Sequence, residues 1–319
     1  MNHRLELFDY LFITRPILFF PGWATLLAGY AAGVGGQRLF HFLSHGNLVL
    51  HWWHPRLAVA LFAFAAAMGA SFILNQLQDI SSDKQNNKLF LLGEGHISVR
   101  AGYVEAMALG IAALALSLFL NVAIFVATLL FLLITGYAYN FRPLSFKNKP
   151  IAGVFANMAM GWLAFAFGWL LTESVRFELL IQSLPYLFFN TALYFLTTLP
   201  DVEGDHLTDK ITFPIRYGTY TTIYVSLLCF ALALGFSIWQ HNEFMLAVTI
   251  ISAPFFLGLG WKKTVPQSII TVKAGISAFA LFICLQFPLF FVLLATLFFF
   301  TRYYYKNRFQ YDYPNFKGQ

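Results

Sequence analysis

The chain has 319 residues, of which 59% are hydrophobic and 11% are charged, and its mean hydropathy is +0.67. This composition excludes a soluble globular protein with a polar surface and is typical of a polytopic membrane protein. The formal charge of +6 does not indicate a nucleic-acid-binding protein, because the Lys and Arg residues are spread among the segments between apolar stretches instead of forming one basic patch.

Nine apolar stretches are long enough to cross a bilayer as helices. In chain order they are residues 16–36, 57–78, 97–119, 120–137, 151–172, 181–199, 220–239, 243–260 and 277–300. The first stretch lacks a signal-peptide cleavage pattern, so we expect it to remain in the membrane. We predict an all-α, polytopic membrane protein of one domain over residues 1–319, with about nine transmembrane helices around a central cavity.

Four histidines follow the first predicted helix, at His41, His45, His51 and His54. His41 and His45 are one helical turn apart, a spacing that is compatible with a transition-metal site. Trp52, Trp53 and Arg56 in the same segment are instead typical of an anchor at the membrane interface. We favour the anchor, because this segment lies on the opposite side of the predicted membrane from the acidic residues described next.

Two polar ladders lie at the ends of the second and sixth predicted helices: Asn75-x3-Asp79-x3-Asp83 and Asp201-x3-Asp205-x3-Asp209. Residues four apart share one helix face, and two carboxylates about 6 Å apart repel by about 3 kcal/mol at an effective dielectric of about 20. A cation is needed to offset that repulsion. Hard oxygen ligands suit Mg²⁺, which keeps several waters and shares its coordination shell with substrate phosphates.

Matching lysines follow the two ladders, since Lys88 and Lys210 come nine positions after Asp79 and Asp201. This match suggests two parallel repeats, residues 1–140 and 150–262, followed by a last helix at 270–300. Chance agreement of so few positions is the alternative. In either case, we expect the two acidic ladders to face the same cavity.

The basic residues indicate how the chain is oriented. If the N-terminus is cytoplasmic, thirteen Lys and Arg residues fall on the cytoplasmic side and seven on the other, four of the seven in the C-terminal tail. This bias follows the positive-inside rule and puts both ladders at the cytoplasmic surface, as expected for a protein of a bacterial inner membrane. An odd number of helices leaves the C-terminal tail outside.

The ladders and several shorter segments resemble the UbiA superfamily of intramembrane prenyltransferases over nearly the whole chain. The matching segments are Arg15-Pro16, Asn75-Gln-Leu-Gln-Asp79-Ile-Ser-Ser-Asp83, Gly95-His-Ile-Ser98, Tyr139-Asn-Phe-Arg-Pro143-Leu-Ser-Phe-Lys147, Asp201-Val-Glu-Gly-Asp205-His-Leu-Thr-Asp209-Lys-Ile-Thr212 and Arg216-Tyr-Gly218. The resemblance implies a helical fold whose central cavity binds a polyprenyl diphosphate through Mg²⁺.

The resemblance also implies roles for individual residues. The metal ligands are Asn75, Asp79 and Asp83 for one ion and Asp201 and Asp205 for the other, and the four aspartates are the catalytic set. The diphosphate-binding residues are Asn75, Lys88, Tyr139, Arg142, Lys147, Lys210 and Arg15. The role of Asp209 stays open, because many members have glycine there. Each basic residue could instead serve only the orientation of the chain.

The reaction implied by the resemblance is an electrophilic alkylation. Breaking an allylic carbon–oxygen bond creates a carbocation and a diphosphate leaving group, and Mg²⁺ with nearby cations stabilises the negative charge on the leaving oxygens. The carbocation has to be shielded from water, and the isoprenoid chain needs an apolar groove. The 38 Phe residues can supply both, although most of them will only pack against other helices or lipid.

We expect the acceptor to be lipophilic and aromatic, in the biosynthesis of a quinone or a related prenyl lipid. Asn75-Gln76 and Asp83-Lys84-x-Asn86 resemble the branch that prenylates homogentisate, and the Arg-Thr-x-x-Arg-Pro loop of the hydroxybenzoate and haem O branches is absent. Tetrapyrroles, glyceryl ethers and polyenes are the alternative acceptors. Membrane lipid is a further partner, and the sequence leaves protein partners open.

Two alternatives belong to other functional classes. A divalent-cation transporter would use the carboxylates to pass Mg²⁺, but transport needs polar steps along the whole pathway, and here the acidic residues collect at one end of the predicted helices. A non-catalytic lipid-binding scaffold would have no need for costly aspartates at the edge of the membrane.

Overall fold

The computed structural model describes residues 3–35, 54–85, 91–206 and 210–314, apart from the side chains of residues 3–5, 81–85, 203 and 206. Within these ranges the secondary structure is helical, without any β-strand. Nine helices of the described ranges are long and apolar enough to cross a membrane, and a shorter helix is apolar as well. The protein is therefore an all-α, multi-pass membrane protein.

The ten apolar helices are numbered in chain order, and α4 is the shorter one. They are α1 (Glu6–Gly33), α2 (Pro55–Gln85), α3 (Val99–Leu120), α4 (Val122–Ala138), α5 (Pro150–Trp169), α6 (Phe177–Thr197), α7 (Thr219–Trp239), α8 (Glu243–Lys262), α9 (Val265–Gln286) and α10 (Pro288–Phe309).

The predicted last span, residues 277–300, is wrong, as is the single last helix at 270–300. The chain forms two helices there, α9 and α10, and the break falls at Phe287. Pro288 begins α10, where the absent N–H costs nothing because the first helical N–H groups have no intrahelical acceptor. Hydropathy did not reveal the break, because the apolar residues continue without interruption from one helix into the next.

The second of these helices brings the C-terminal segment to the end of the molecule where the chain begins. The Tyr304 hydroxyl donates to Asp9 Oδ1 at 2.6 Å, and Arg308 Nη2 lies 3.1 Å from Asp9 Oδ2. The Phe12 and Tyr304 rings stack with their centroids 3.8 Å apart. The prediction that the C-terminal tail lies on the opposite side from the N-terminus is therefore wrong, because ten helices return the chain to its starting side.

Helix α1 is interrupted near its start and then packs closely on α5. Arg15 adopts a left-handed backbone conformation with φ of 53°, and Pro16 begins a short 3-10 helix. Further along, a Cβ atom at Gly29 would collide with the Phe165 carbonyl oxygen, and one at Gly168 would collide with the Leu26 carbonyl oxygen. Glycine at both positions allows the two backbones to touch, a common means of packing helices in membranes.

Helix α4 changes its winding before it reaches the polar ladder of α2. Residues Val122–Phe131 are α-helical, and Leu132–Ala138 form a π-helix. The hydroxyls of Ser71 on α2 and Thr135 on α4 are 2.6 Å apart, so a hydrogen bond joins the two helices at this level. Short π-helical segments occur frequently at functional sites.

Candidate active site

Asp79 lies near the end of α2 and is contacted by basic residues from two different parts of the chain. Lys147 Nζ is 2.8 Å from Asp79 Oδ1, and Lys210 Nζ is 3.9 Å from the same oxygen. Lys147 belongs to the connection between α4 and α5, whereas Lys210 belongs to the connection between α6 and α7. The fold thus brings the first polar ladder together with a residue that follows the second ladder.

The connection from α4 to α5 folds so that Lys147 faces α2. The Lys147 backbone N–H donates to the Tyr139 carbonyl at 3.2 Å, and residues Phe146–Asn148 form a 3-10 turn. At the start of α5, a Cβ atom on Gly153 would lie 3.2 Å from the Phe146 carbonyl oxygen and 3.4 Å from the Tyr194 hydroxyl. Glycine at this position leaves room for the connection and for Tyr194 to approach α5.

Tyr139 is buried directly after α4, in the electrostatic field of both ladders. Burial raises the pKa of its phenol above the ordinary value, and the nearby Tyr194, Asp79 and Asp205 raise it further. The Tyr139 hydroxyl therefore stays protonated at physiological pH and can donate a hydrogen bond. Both ladders therefore contribute negative charge to the surroundings of this phenol, through Asp79 and Asp205.

Asn75 lies one helical turn before Asp79 on α2, and its amide is held by another asparagine. Asn75 Nδ2 donates to Asn140 Oδ1 at 2.8 Å. Asn140 is buried and uses its own Nδ2 to donate to the Thr135 and Gly136 carbonyls, at 2.8 and 3.0 Å. The amide of Asn75 is therefore anchored to the π-helical end of α4.

The second ladder follows α6. Asp201 is exposed in the turn before the short helix Val202–His206, and Asp205 is half-buried within that helix. The Asp205 N–H donates to the Asp201 carbonyl at 2.8 Å, so the two residues are one helical turn apart, as their spacing predicts.

The remaining predicted site residues fall into two groups. Arg142 is exposed in the connection that carries Lys147, and Arg15 is half-buried near Tyr305 and Tyr313 of the C-terminal segment. Lys88, Asp209 and the side chain of Asp83 lie outside the described part of the structure, as do His41, His45 and His51.

The donor set fits Mg²⁺ that is shared with a substrate. Among the described residues, no three His, Cys, Asp or Glu side chains lie close enough together to hold a metal ion by themselves. The available donors are hard carboxylate and amide oxygens, which suit an ion that completes its shell with water and phosphate. The three described ladder carboxylates, Asp79, Asp201 and Asp205, are equal in number to the three nearby basic residues, Lys147, Lys210 and Arg142. A bound diphosphate would add negative charge that these residues do not offset, so metal cations are needed as well.

An apolar groove of about 320 Å³ lies between α2, α3 and α4. It is lined by residues of α2, α3 and α4 and of the segment after α4: Ala70, Leu74, Tyr103, Ala106, Met107, Gly110, Leu132, Tyr137 and Phe141. Gln78, the residue before Asp79, donates to the Tyr103 hydroxyl at 3.2 Å. Tyr103 of this groove thus contacts α2 one residue before Asp79.

Two neighbours of the site were not predicted from the sequence. Asn140 belongs to the segment Tyr139-Asn-Phe-Arg-Pro143, but nothing in that segment reveals its hydrogen bond to Asn75. Tyr194 lies in the middle of an apolar run of α6, so the sequence carries no signal for it. The roles of Asn140 and Tyr194 depend on contacts between α2, α4, α5 and α6, so they are identified only from the packed structure.

Comparison with known proteins supplies an independent line of evidence. A family model described as the UbiA prenyltransferase family matches residues 23–269. The chain is 25% identical to a digeranylgeranylglyceryl phosphate synthase of Sulfurisphaera tokodaii. The matched region has 209 residues and covers 64% of this chain and 67% of that protein.

Two solved structures share the fold. A UbiA homolog from Archaeoglobus fulgidus bound to GPP and Mg²⁺ has a TM-score of 0.63 and 22% sequence identity, over 90% of this chain and 99% of that one. A digeranylgeranylglyceryl phosphate synthase also has a TM-score of 0.63, with 19% identity, over 87% of this chain and 98% of that one.

Proposed function

The chain belongs to the UbiA prenyltransferase family, and from this premise we propose that it catalyses Mg²⁺-dependent transfer of a polyprenyl group from an allylic diphosphate to a lipophilic acceptor. It is an integral, multi-pass membrane prenyltransferase. Because the family is one of enzymes, we do not retain the cation-transporter and scaffold alternatives.

The observation that carries the proposal is the convergence of Lys147 and Lys210 on Asp79. One carboxylate of the first ladder is contacted by ammonium groups from two separate connections, and Tyr139 lies in the field of both ladders. A substrate with several negative charges can therefore meet carboxylates, for metal ions, and basic side chains, for its own oxygens, in a single place.

The chain's own residues have distinct tasks in this mechanism. Asn75, Asp79, Asp83, Asp201 and Asp205 would hold Mg²⁺, which when bound neutralises the diphosphate and stabilises charge on its leaving oxygen. Lys147, Lys210 and Arg142 bind phosphate oxygens, and the protonated Tyr139 can donate to one of them. Lys88 and Arg15 are further candidates for this binding.

Bond changes in the reaction need no covalent protein intermediate. The allylic carbon–oxygen bond breaks, and its electron pair leaves on the diphosphate. A nucleophilic atom of the acceptor then bonds to the allylic carbon and loses a proton. Apolar helices around the site exclude water, which would otherwise capture the carbocation.

We further propose that the site faces the cytoplasm of a bacterial cell. With ten helices, Arg302, Lys306 and Arg308 at the end of α10 join the cytoplasmic side, whereas Lys273 now falls within α9 and leaves the count. Arg56 and Arg176 lie on the other side. The charge bias is thus stronger than the sequence prediction required, and it supports an orientation with Asp79, Lys147 and Lys210 at the inner surface.

The proposal also includes the chemical class of the acceptor. We favour an aromatic acceptor on the residues that resemble the homogentisate-prenylating branch. A glyceryl ether phosphate is the second candidate, because two relatives are named as digeranylgeranylglyceryl phosphate synthases. The two acceptors differ in charge: a glyceryl phosphate adds a second anion, which needs basic side chains beyond those that bind the diphosphate.

The test is a transfer assay on the purified full-length protein in detergent, with geranylgeranyl diphosphate, Mg²⁺ and a panel that contains homogentisate and geranylgeranylglyceryl phosphate. Diphosphate release and product mass are followed with and without EDTA. Asp79→Ala removes a predicted metal ligand. Glu173→Ala is the matched control, because Glu173 is an acidic residue at the opposite end of the helices, paired with Arg176 at 3.7 Å.

We expect a prenylated product that disappears with EDTA and with Asp79→Ala but persists with Glu173→Ala. The acceptor that is consumed decides between the aromatic and glyceryl classes. A product that forms equally well in the presence of EDTA would contradict the role of Mg²⁺, and equal losses in the two variants would contradict the location of the site.

A further inference from the structure

Asn140 is a fully enclosed side chain next to the site that has no part in the mechanism described so far. Its exposed fraction is 3%, and its carboxamide makes three hydrogen bonds. Two of them go from Nδ2 to the carbonyls of Thr135 and Gly136, and the third is accepted by Oδ1 from Asn75. Both ends of the amide are therefore committed to specific partners.

The two backbone carbonyls determine how the Asn140 amide is turned. A carbonyl oxygen only accepts hydrogen bonds, so the NH₂ group of Asn140 has to face Thr135 and Gly136. This leaves Oδ1 of Asn140 towards α2. Because Oδ1 also only accepts, Asn75 has to present its own NH₂ group to Asn140, and the carbonyl oxygen of Asn75 is turned away from Asn140.

The π-helix explains why those two carbonyls are available. The last carbonyls of any helix lack intrahelical donors, and in this chain they are capped by a side chain five and four residues further on. The bond between Ser71 and Thr135 fixes the separation of α2 and α4 one turn before Asn75. Asn140 is thus held by backbone atoms of α4, independently of Asn75 and of the bond between Ser71 and Thr135.

We propose that Asn140 is a positioning residue for the metal site, in that it turns the Asn75 carboxamide so that its oxygen, and not its NH₂ group, faces the side of α2 that carries Asp79. This inference rests on the proposed function, in which Asn75 is a Mg²⁺ ligand. An amide turned the other way would direct two N–H donors at a cation, which they repel. Removing a partner that orients a metal ligand in this way typically lowers metal affinity about 10- to 100-fold.

The experiment measures metal binding directly. Mn²⁺ replaces Mg²⁺, and free Mn²⁺ is titrated by electron paramagnetic resonance with the purified full-length protein and the unreactive geranylgeranyl thiodiphosphate. For Asn140→Ala we expect Mn²⁺ affinity to fall about 10- to 100-fold. Asn140→Ser keeps a hydroxyl that can both accept and donate, so its loss should be smaller, and it serves as the second variant if Asn140→Ala does not fold.

Two comparisons separate positioning from a purely structural role. Ser71→Ala removes the neighbouring bond between the same two helices without touching Asn75, and it should leave Mn²⁺ affinity unchanged while lowering thermal stability. In the background of Asn75→Ala, adding Asn140→Ala should cause no further loss of affinity, because the residue that it positions is already gone.

Several results would overturn the inference. They are an unchanged Mn²⁺ affinity in Asn140→Ala, a loss of the same size in the Asn75→Ala background, and a comparable loss in Ser71→Ala. If Asn75→Ala itself binds Mn²⁺ normally, Asn75 is not a ligand and the inference fails with it. The transfer assay tests the proposed function separately. If Asn75→Ala still transfers the prenyl group, the proposed function stands even though the inference about Asn140 fails.

Discussion

Two aspartates near the same end of the molecule are held by basic side chains, but in different ways. Asp9 has an exposed fraction of 3%, and it receives bonds from Tyr304 and from both Nε and Nη2 of Arg308, all from α10. Asp79 is 13% exposed and meets two lysines from separate connections, one at 2.8 Å and the other at 3.9 Å from the same oxygen.

The difference between the two clusters separates a structural ion pair from a functional one. Around Asp9, a planar guanidinium and a phenol saturate the carboxylate and join the first helix to the last. Around Asp79, both lysines approach one oxygen as point charges, so the carboxylate remains able to bind a further cation. We call Asp9 with Tyr304 and Arg308 the closed cluster, because its carboxylate is saturated, and this arrangement stabilises the fold. We call Asp79 with Lys147 and Lys210 the open cluster, because its carboxylate can still bind a metal ion.

The largest effect is expected at the open cluster. Asp79→Asn keeps the size of the side chain but removes its charge, and we expect the rate of diphosphate release to fall by at least about 100-fold, because a charged metal ligand is lost. The thermal unfolding midpoint in detergent should fall by less than in Asp9→Ala, because the side chains of Lys147 and Lys210 are more exposed than that of Arg308. If the variant is instead fully active and unfolds at a much lower temperature, Asp79 belongs with Asp9 as a structural residue.

The second effect concerns the closed cluster. Asp9→Ala leaves the Arg308 charge buried without its carboxylate, which we expect to cost about 3–5 kcal/mol of unfolding free energy. The double variant Asp9→Ala/Arg308→Met removes both charges and should recover a large part of that loss. Thermal denaturation monitored by intrinsic fluorescence measures both. Equal destabilisation in the single and double variants would mean that the pair contributes through packing alone.

The third effect compares the two lysines of the open cluster, Lys147 and Lys210. Lys147→Met should lower kcat/KM for the prenyl diphosphate more than Lys210→Met, by roughly tenfold, because Lys147 is closer to Asp79 and more deeply buried. Initial rates at varied prenyl diphosphate concentration measure the difference. The reverse order would assign the main phosphate contact to the connection after α6.

The smallest effect is expected from an ion pair at the surface of the same end. Arg302 Nε lies 2.9 Å from Asp312 Oδ1, and both side chains are about half exposed. Water screens such a pair, so Arg302→Ala should change the unfolding free energy by less than about 1 kcal/mol and leave activity unchanged. A loss as large as that of Asp9→Ala would show that α10 is anchored mainly by its exposed end.

The sequence predicted the main features of the site through local spacing. Asp79 follows Asn75, and Asp205 follows Asp201, by one helical turn, and this periodicity is fixed by the helix itself. Lys147 and Lys210 were among the predicted phosphate-binding residues, and the structure brings both to Asp79. Their catalytic roles stay predictions until the variants are measured.

What the sequence alone determined about this protein is encoded in consecutive residues: the length of apolar runs, which requires helices in a membrane, and the spacing of acidic residues along them. The tertiary structure decided the rest. The hydrogen bond between Asn75 and Asn140 spans 65 positions, and the contact between Asp9 and Arg308 spans 299. Such contacts follow from how helices pack, and packing depends on side chains that are far apart along the chain, so no local pattern reveals them.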